Sequence, residues 1–178
     1  MTYLPWPPPK KKSNTGLLVA LIGGAAALCL VLGVVGTVLY ATRDRHPDST
    51  DGALNQPVRD VHTQFTVTAV QCGVTGLRTE PAAGTTYCTA TATVKNVGER
   101  PIAIEVQSQA AFDQKGHKFL ANSTASISAN DDITIFGEQY EPGTGATVTW
   151  VWELPVGSTI ERLELHQILQ SDGAEVTV

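Results

Sequence analysis

At 178 residues the chain has room for one modest domain beside a membrane segment, and its formal charge of −5 is unevenly spread. Lys10, Lys11 and Lys12 are the only charged side chains before residue 43, whereas the nine Lys and Arg and all 17 Asp and Glu that follow leave that part at −8. DNA and anionic lipid both need a positive surface, so an acidic domain speaks against either, and no nucleic-acid partner is expected.

Residues 1–15, MTYLPWPPPKKKSNT, cannot form a helix across Pro5 and Pro7 to Pro9, and a polyproline II stretch fits them. They read as a stiff spacer before a basic anchor; a ligand for a proline-binding partner is the competing reading. Residues 16–42 follow as a single transmembrane helix. Its core, Leu17–Ala41, carries no charge and would reach roughly 37 Å as a helix, enough to cross a hydrocarbon core of about 30 Å with some tilt. The three lysines before it, set against Arg43, Asp44 and Arg45 after it, place the N-terminus in the cytoplasm and the rest outside. The apolar run is too long for a cleaved signal peptide, and no small-x-small site follows it. Cys29 follows Leu28 in mid-run, which does not suit lipidation. Gly16, Ala20 and Gly24 form a small-residue row that would let two spans approach, so the expected partners here are membrane lipid and a second copy of the chain.

Residues 43–57 are polar, hold Pro and Gly, and lack apolar periodicity, which predicts a flexible linker with a mean reach of roughly 20 Å. HPDSTDG within it lacks the spacing of a calcium loop.

From residue 58 to 178 the apolar period is two. Val61, Phe65, Val67 and Ala69 share one face of a first strand, and Val70 and Cys72 fall on the other parity, so a bulge or strand end is expected there. Residues 73–86 read as a loop. A second strand puts Cys88, Ala90, Ala92 and Val94 on one face and Thr89, Thr91 and Thr93 on the other. Cys72 and Cys88 bracket the first loop of the domain. They form the candidate disulfide, worth about 3 kcal/mol for a loop of this length and fitting an oxidising compartment. Free buried thiols or half a metal site are the competing readings. Ile102, Ile104 and Val106 alternate; a DQKG turn makes a hairpin of residues 111–120; residues 121–132 read as a loop or weak edge, and Ile133, Ile135 and Phe136 as a short strand. After the EPGTG turn, Val148, Trp150, Trp152 and Leu154 share a face. The tryptophan pair reads as core, with a sugar-stacking platform as the alternative. Leu163 and Leu165 and then AEVTV complete the sheets. Seven or eight short strands with frequent Gly and Pro turns and no helical pattern predict an all-β, immunoglobulin-like antiparallel β-sandwich.

VKNVGERPI (Val94 to Ile102), EPG (Glu141 to Gly143) and WELPVG (Trp152 to Gly157) together resemble a bacterial membrane-anchored immunoglobulin-like family catalogued as domain of unknown function 4352. The resemblance spans roughly residues 60–178. It implies the sandwich fold and a cell-surface location, and it brings no catalytic residues, metal or cofactor.

The residues offer no catalytic set of their own. There is no G-x-S-x-G elbow, H-E-x-x-H, P-loop or C-x-x-C. His46, His62, His117 and His166 are scattered, and Asp131-Asp132 sits in a polar loop. The expected function is therefore that of an extracellular interaction module with a protein or glycan ligand, not an enzyme and without cofactor or metal. It would act through loops at a sandwich end or through the threonine-rich sheet face. A structural envelope spacer, or a subunit of a membrane complex assembled through the span, is the alternative, and a cell-surface enzyme the third.

Overall fold

The computed structural model describes residues 49–178; the tail, the expected span, the first part of the expected linker, Cys29 and His46 lie outside the described residues. Two β-sheets pack face to face. One has four strands in the order β2 (Pro57–Asp60), β3 (Thr63–Val74), β4 (Thr85–Asn96) and β9 (Gly145–Pro155). The other has five, ordered β1 (Gly52–Ala53), β11 (Ala174–Thr177), β10 (Ile160–Leu165), β6 (Ala110–Asp113) and β7 (Lys118–Leu120). A two-stranded ribbon, β5 (Ile102–Ala103) with β8 (Gln139–Tyr140), joins them. All pairings are antiparallel except β1 with β11.

The core lies between the sheets. Phe65, Val67, Ala90, Ala92, Val94, Val148, Trp150, Trp152 and Leu154 meet Ala111, Ile160, Leu163, Leu165, Ala174 and Val176 there, with Ile104, Val106 and Ile135 closing the side. The rings of Phe65 and Trp150 lie 6.2 Å apart at a tilt of 57°. The alternation that predicted β4, β9 and β10 is thus the alternation of core against outer face. Register shifts between Val67 and Ala69 and between Cys72 and Val74 show bulges where the parity of the sequence changes.

Four expectations need correction. Strand pairing begins at the Thr50–Arg59 bridge, so residues 50–57, assigned to the linker, belong to the sandwich. Val61 is not in a strand but in the two-residue turn between β2 and β3, because Asp60 pairs with Thr63. Residues 121–132 hold a short helix, α1 (Ser123–Ser128), capped by the Asn122 side chain on Ala125 N–H at 3.0 Å. Ile133 to Phe136 form a turn in place of a strand, with Thr134 held by Asp132.

Candidate functional site

Helix α1 lies along the free edge of β9. Ser126 Oγ accepts from Val151 N–H at 2.9 Å, Asn122 N–H donates to Val151 O at 2.7 Å, and Asn130 bonds both Thr149 N–H and Thr149 O. The Asn122 main chain and the Ser126 and Asn130 side chains thus stand in for a neighbouring strand and cover an edge that would otherwise be open to pairing. Tyr87, Ala125 and Val151 form a second small core beneath them. The outer face of this sheet is therefore partly covered. Thr68, Thr93 and Thr147 remain exposed, while Thr91 and Thr149 bond each other at 3.0 Å.

The end of the sandwich at which the chain enters is more elaborate. Ser49 and Thr50 arrive there beside Asp60 and Arg59. The fully buried Asp60 carboxylate accepts from Gln167 N–H at 2.6 Å, Gly173 N–H at 3.2 Å and Ser49 Oγ at 3.2 Å. It thereby fastens the β10–β11 loop to the β2–β3 turn, and Gln167 Oε1 accepts from His62 N–H at 2.7 Å in the same joint. Gln109, also fully buried, ties the β5–β6 segment to the end of β10: its Oε1 accepts from His166 N–H and its Nε2 donates to His166 O.

Asn96 builds the β4–β5 loop. Its Nδ2 donates to Arg100 O and Tyr140 O, both at 2.8 Å, and its Oδ1 accepts from Gly98 N–H at 2.9 Å. Val97 N–H donates to His62 O at 2.8 Å, so loop and turn lie side by side. A Cβ on Gly98 would stand 2.6 Å from His62 Cβ, which only glycine avoids. Gly143, at φ +82°, lets the EPG turn reach back and donate to Asn96 O. Two of the spaced motifs of the sequence therefore meet, Asn96 and Gly98 from the first and Gly143 from the second, while Trp152 of the third lies in the core.

Between turn and loop lies a cleft of about 430 Å³ lined by Arg59, His62, Val97, Gly98, Glu99 and Arg100. Arg59 is braced by its Nε, which donates to Val61 O at 2.8 Å. Val61 itself has φ +53°, a conformation that β-branched residues rarely adopt.

The other candidates of the sequence are dispersed. Cys72 and Cys88 are bridged, as directly opposed residues of β3 and β4 with Cα atoms 4.0 Å apart, so the bond staples two strands and does not merely close a loop. Trp150 and Trp152 are fully buried and donate to Glu105 O and Gln109 O, which makes them core and not a sugar platform. His62 is exposed in its turn; exposed His117 bonds Asp113 at 2.9 Å; buried His166 bonds Glu164 and Ser171. Among the described residues no three His, Cys, Asp or Glu converge as a metal set. Asp132 caps its own turn through Thr134, which holds its carboxyl below the usual range. Sequence patterning singled out neither Asp60 nor Gln109. Each is one polar residue at a strand margin, and only its main-chain partners on distant segments give it meaning.

The fold and this network define an all-β sandwich. The family model described as "Domain of unknown function (DUF4352)" matches residues 52–176, and the chain belongs to that family. It is similar to a secreted protein from Mycobacterium tuberculosis, MPT63, at 14% identity and a TM-score of 0.55, covering 72% of this chain and 96% of that one. It is also similar to the yjhA protein from Bacillus subtilis, at 16% identity and a TM-score of 0.52, covering 71% and 98%. At such identities the likeness shows the fold alone. No curated protein matches the sequence.

Proposed function

We propose that the chain is a single-pass membrane protein with a cytoplasmic N-terminus, displaying an immunoglobulin-like sandwich outside the cell as an interaction module that acts by recognition and not by catalysis. The Cys72–Cys88 bridge carries this reading, because disulfides persist in oxidising compartments and this one follows the charge-free stretch Leu17–Ala41. The chain-entry end is the favoured recognition surface. It gathers four connecting segments, held in place by buried Asp60 and Asn96, and a scaffolded cluster of loops is where binding residues concentrate. An extracellular protein or glycan is the expected class of ligand.

Protease shaving of intact cells tests the topology. The sandwich is expected to be released without lysis, and crosslinking should then recover a partner. A domain protected until the cells are opened overturns the reading. Thiol labelling of both cysteines in unfolded, unreduced protein would remove its main support.

The Gly16, Ala20 and Gly24 row supports a second reading, a spacer or complex subunit assembled through the span. Exchanging the span for an unrelated one separates the two: loss of assembly favours the subunit, and retained partner capture favours recognition.

A further inference from the structure

We propose that the cleft between the β2–β3 turn and the β4–β5 loop binds a phosphate group through Arg59 and Arg100. This deepens the reading of the chain-entry end as a binding end and rests on it. The described residues contain seven Lys and Arg. Those on the outer face of the five-stranded sheet are paired: Lys118 with Glu164 at 2.7 Å, and Arg162 with Glu175 at 2.9 Å while stacking on Phe112. Arg59 and Arg100 have no ion-pair partner among the described residues, although acidic residues outnumber basic ones throughout the domain. Two arginines without an ion-pair partner therefore line one cleft, together with His62.

The cleft is built and not a chance gathering of surface charge. Arg59 is half-buried, its backbone N–H is held by Thr50 Oγ1, and its Nε is taken by the carbonyl of strained Val61, which leaves the two terminal nitrogens for a ligand. Arg100 is carried on a loop whose carbonyl at that residue is fixed by Asn96. One guanidinium fork satisfies both oxygens of a carboxylate, whereas two forks from separate segments suit a group with three or four oxygens, which is a phosphate. Glu99 is the one carboxylate among the lining residues, and it offsets part of the charge. Next to the cleft, across the His62–Gln167 bond, the β10–β11 loop exposes Ile168 and Leu169, the latter 72% accessible. A phosphate borne by a lipid would meet apolar side chains there, and a soluble phosphate would not need them.

The test uses the full chain in uncharged detergent, with arginine-specific phenylglyoxal labelling read by peptide mass spectrometry. Inorganic phosphate is compared with sodium chloride at equal ionic strength. Phosphate is expected to slow labelling at Arg59 and Arg100 and to leave Arg78, exposed elsewhere on the surface, as an internal control. Arg100→Gln, at an exposed side chain that holds nothing else in place, should weaken phosphate protection of Arg59 by about tenfold, the loss expected for one charged hydrogen-bond donor. Glu99→Gln should strengthen it. In a second arm, the chain is placed in nanodiscs of phosphatidylcholine with or without phosphatidic acid, whose terminal phosphate keeps three free oxygens, and free of inorganic phosphate. Protection that appears only when phosphatidic acid is present identifies a lipid headgroup as the source, and protection by inorganic phosphate alone identifies a soluble one. Equal slowing at all three arginines, or none in either arm, overturns the proposal. Sidedness does not enter this readout, so a domain found inside the cell would overturn the proposed location while leaving the phosphate site standing.

Discussion

Strands β3, β4 and β9 run for 12, 12 and 11 residues, whereas no strand of the five-stranded sheet exceeds six. The long strands share long ladders, broken only by the two bulges of β3, and present a row of large apolar side chains, with Trp150, Trp152 and Phe65 the largest. The five-stranded sheet is assembled from short pieces, and what registers them is a set of buried polar side chains bonded to main chain. Gln109 fixes the start of β6 against the end of β10, Asp60 fixes the β10–β11 loop, and Asp113 collects Lys115 N–H and His117 N–H, each at 2.9 Å, in the β6–β7 turn. One sheet is specified by apolar area and the other by hydrogen-bond geometry. The two should therefore fail differently when disturbed.

The largest effect belongs to the long-stranded sheet. Trp150→Ala removes a fully buried indole and leaves a cavity against Phe65, and a loss of about 3–5 kcal/mol is expected in denaturant unfolding. Trp150→Phe should recover a good part of it, because volume and not the Glu105 hydrogen bond dominates. In the short-stranded sheet the corresponding substitution is Gln109→Leu, which keeps the volume and adds apolar surface. If apolar burial ruled here too, this variant would be neutral or better. Instead it strips His166 N–H and O of their partners in a buried setting, and a loss of about 1–3 kcal/mol is expected. An unchanged unfolding midpoint for Gln109→Leu would erase the contrast.

Acid should find the same division. Burial works against the charge on Asp113 and on Glu164. The bonds from His117 to Asp113, and from Lys118 and His166 to Glu164, outweigh it, and both carboxyls are held below their usual range. On the long-stranded sheet Glu153 is lowered as well, by Thr85 Oγ1 and Ala82 N–H. A lowered folded-state value means that the native protein binds fewer protons than the unfolded chain. The stabilisation is then complete above the ordinary carboxylate value of about 4 and is lost as the pH falls through the lower folded-state values. Thermal midpoints measured from neutral pH downward should decline in that window. The double variant Asp113→Asn, Glu164→Gln should flatten the decline more than Glu153→Gln does; the reverse order would place the acid-sensitive joints in the wrong sheet.

The same physical split governs what could be read without coordinates. Period-two alternation is a property of long half-buried strands, so the inward faces of β4 and β9 were legible residue by residue; Cys72 and Cys88 were legible as a pair bracketing a loop, but not as residues facing each other across β3 and β4. A strand of two residues carries no period, and β1, whose partner β11 lies more than a hundred residues on, was hidden in a polar stretch that reads as linker. Helix α1 was hidden for a different reason. Six residues of Ser, Thr, Ala and Ile give no helical stripe, and its real signature, the Asn122 cap, is shared with ordinary turns. Of the candidate cleft, Asn96 and Gly98 stood out within VKNVGERPI, but Arg59 lay at the edge of the supposed linker. Its meeting with Arg100 depends on long-range bonds from His62 to Val97 and Gln167.

That joint supplies the smallest and most discriminating prediction. The β2–β3 turn belongs to the long-stranded sheet, yet its shape is set by the β10–β11 loop of the other, through Asp60 and His62. Val61 at φ +53° is the residue that absorbs the mismatch. An L-residue with a branched Cβ is strained there by about 1–2 kcal/mol, whereas asparagine tolerates the left-handed region. Val61→Asn keeps the main-chain carbonyl that braces Arg59 and should raise stability by about 0.5–1 kcal/mol, while Val61→Ile, which retains the branch, should not. Paired with phosphate protection of Arg59, the same variants separate two roles for the turn. If Val61→Asn stabilises the fold and leaves protection intact, the strain belongs to the joint between the sheets; if it stabilises the fold and weakens protection, the strain is what holds Arg59 over the cleft.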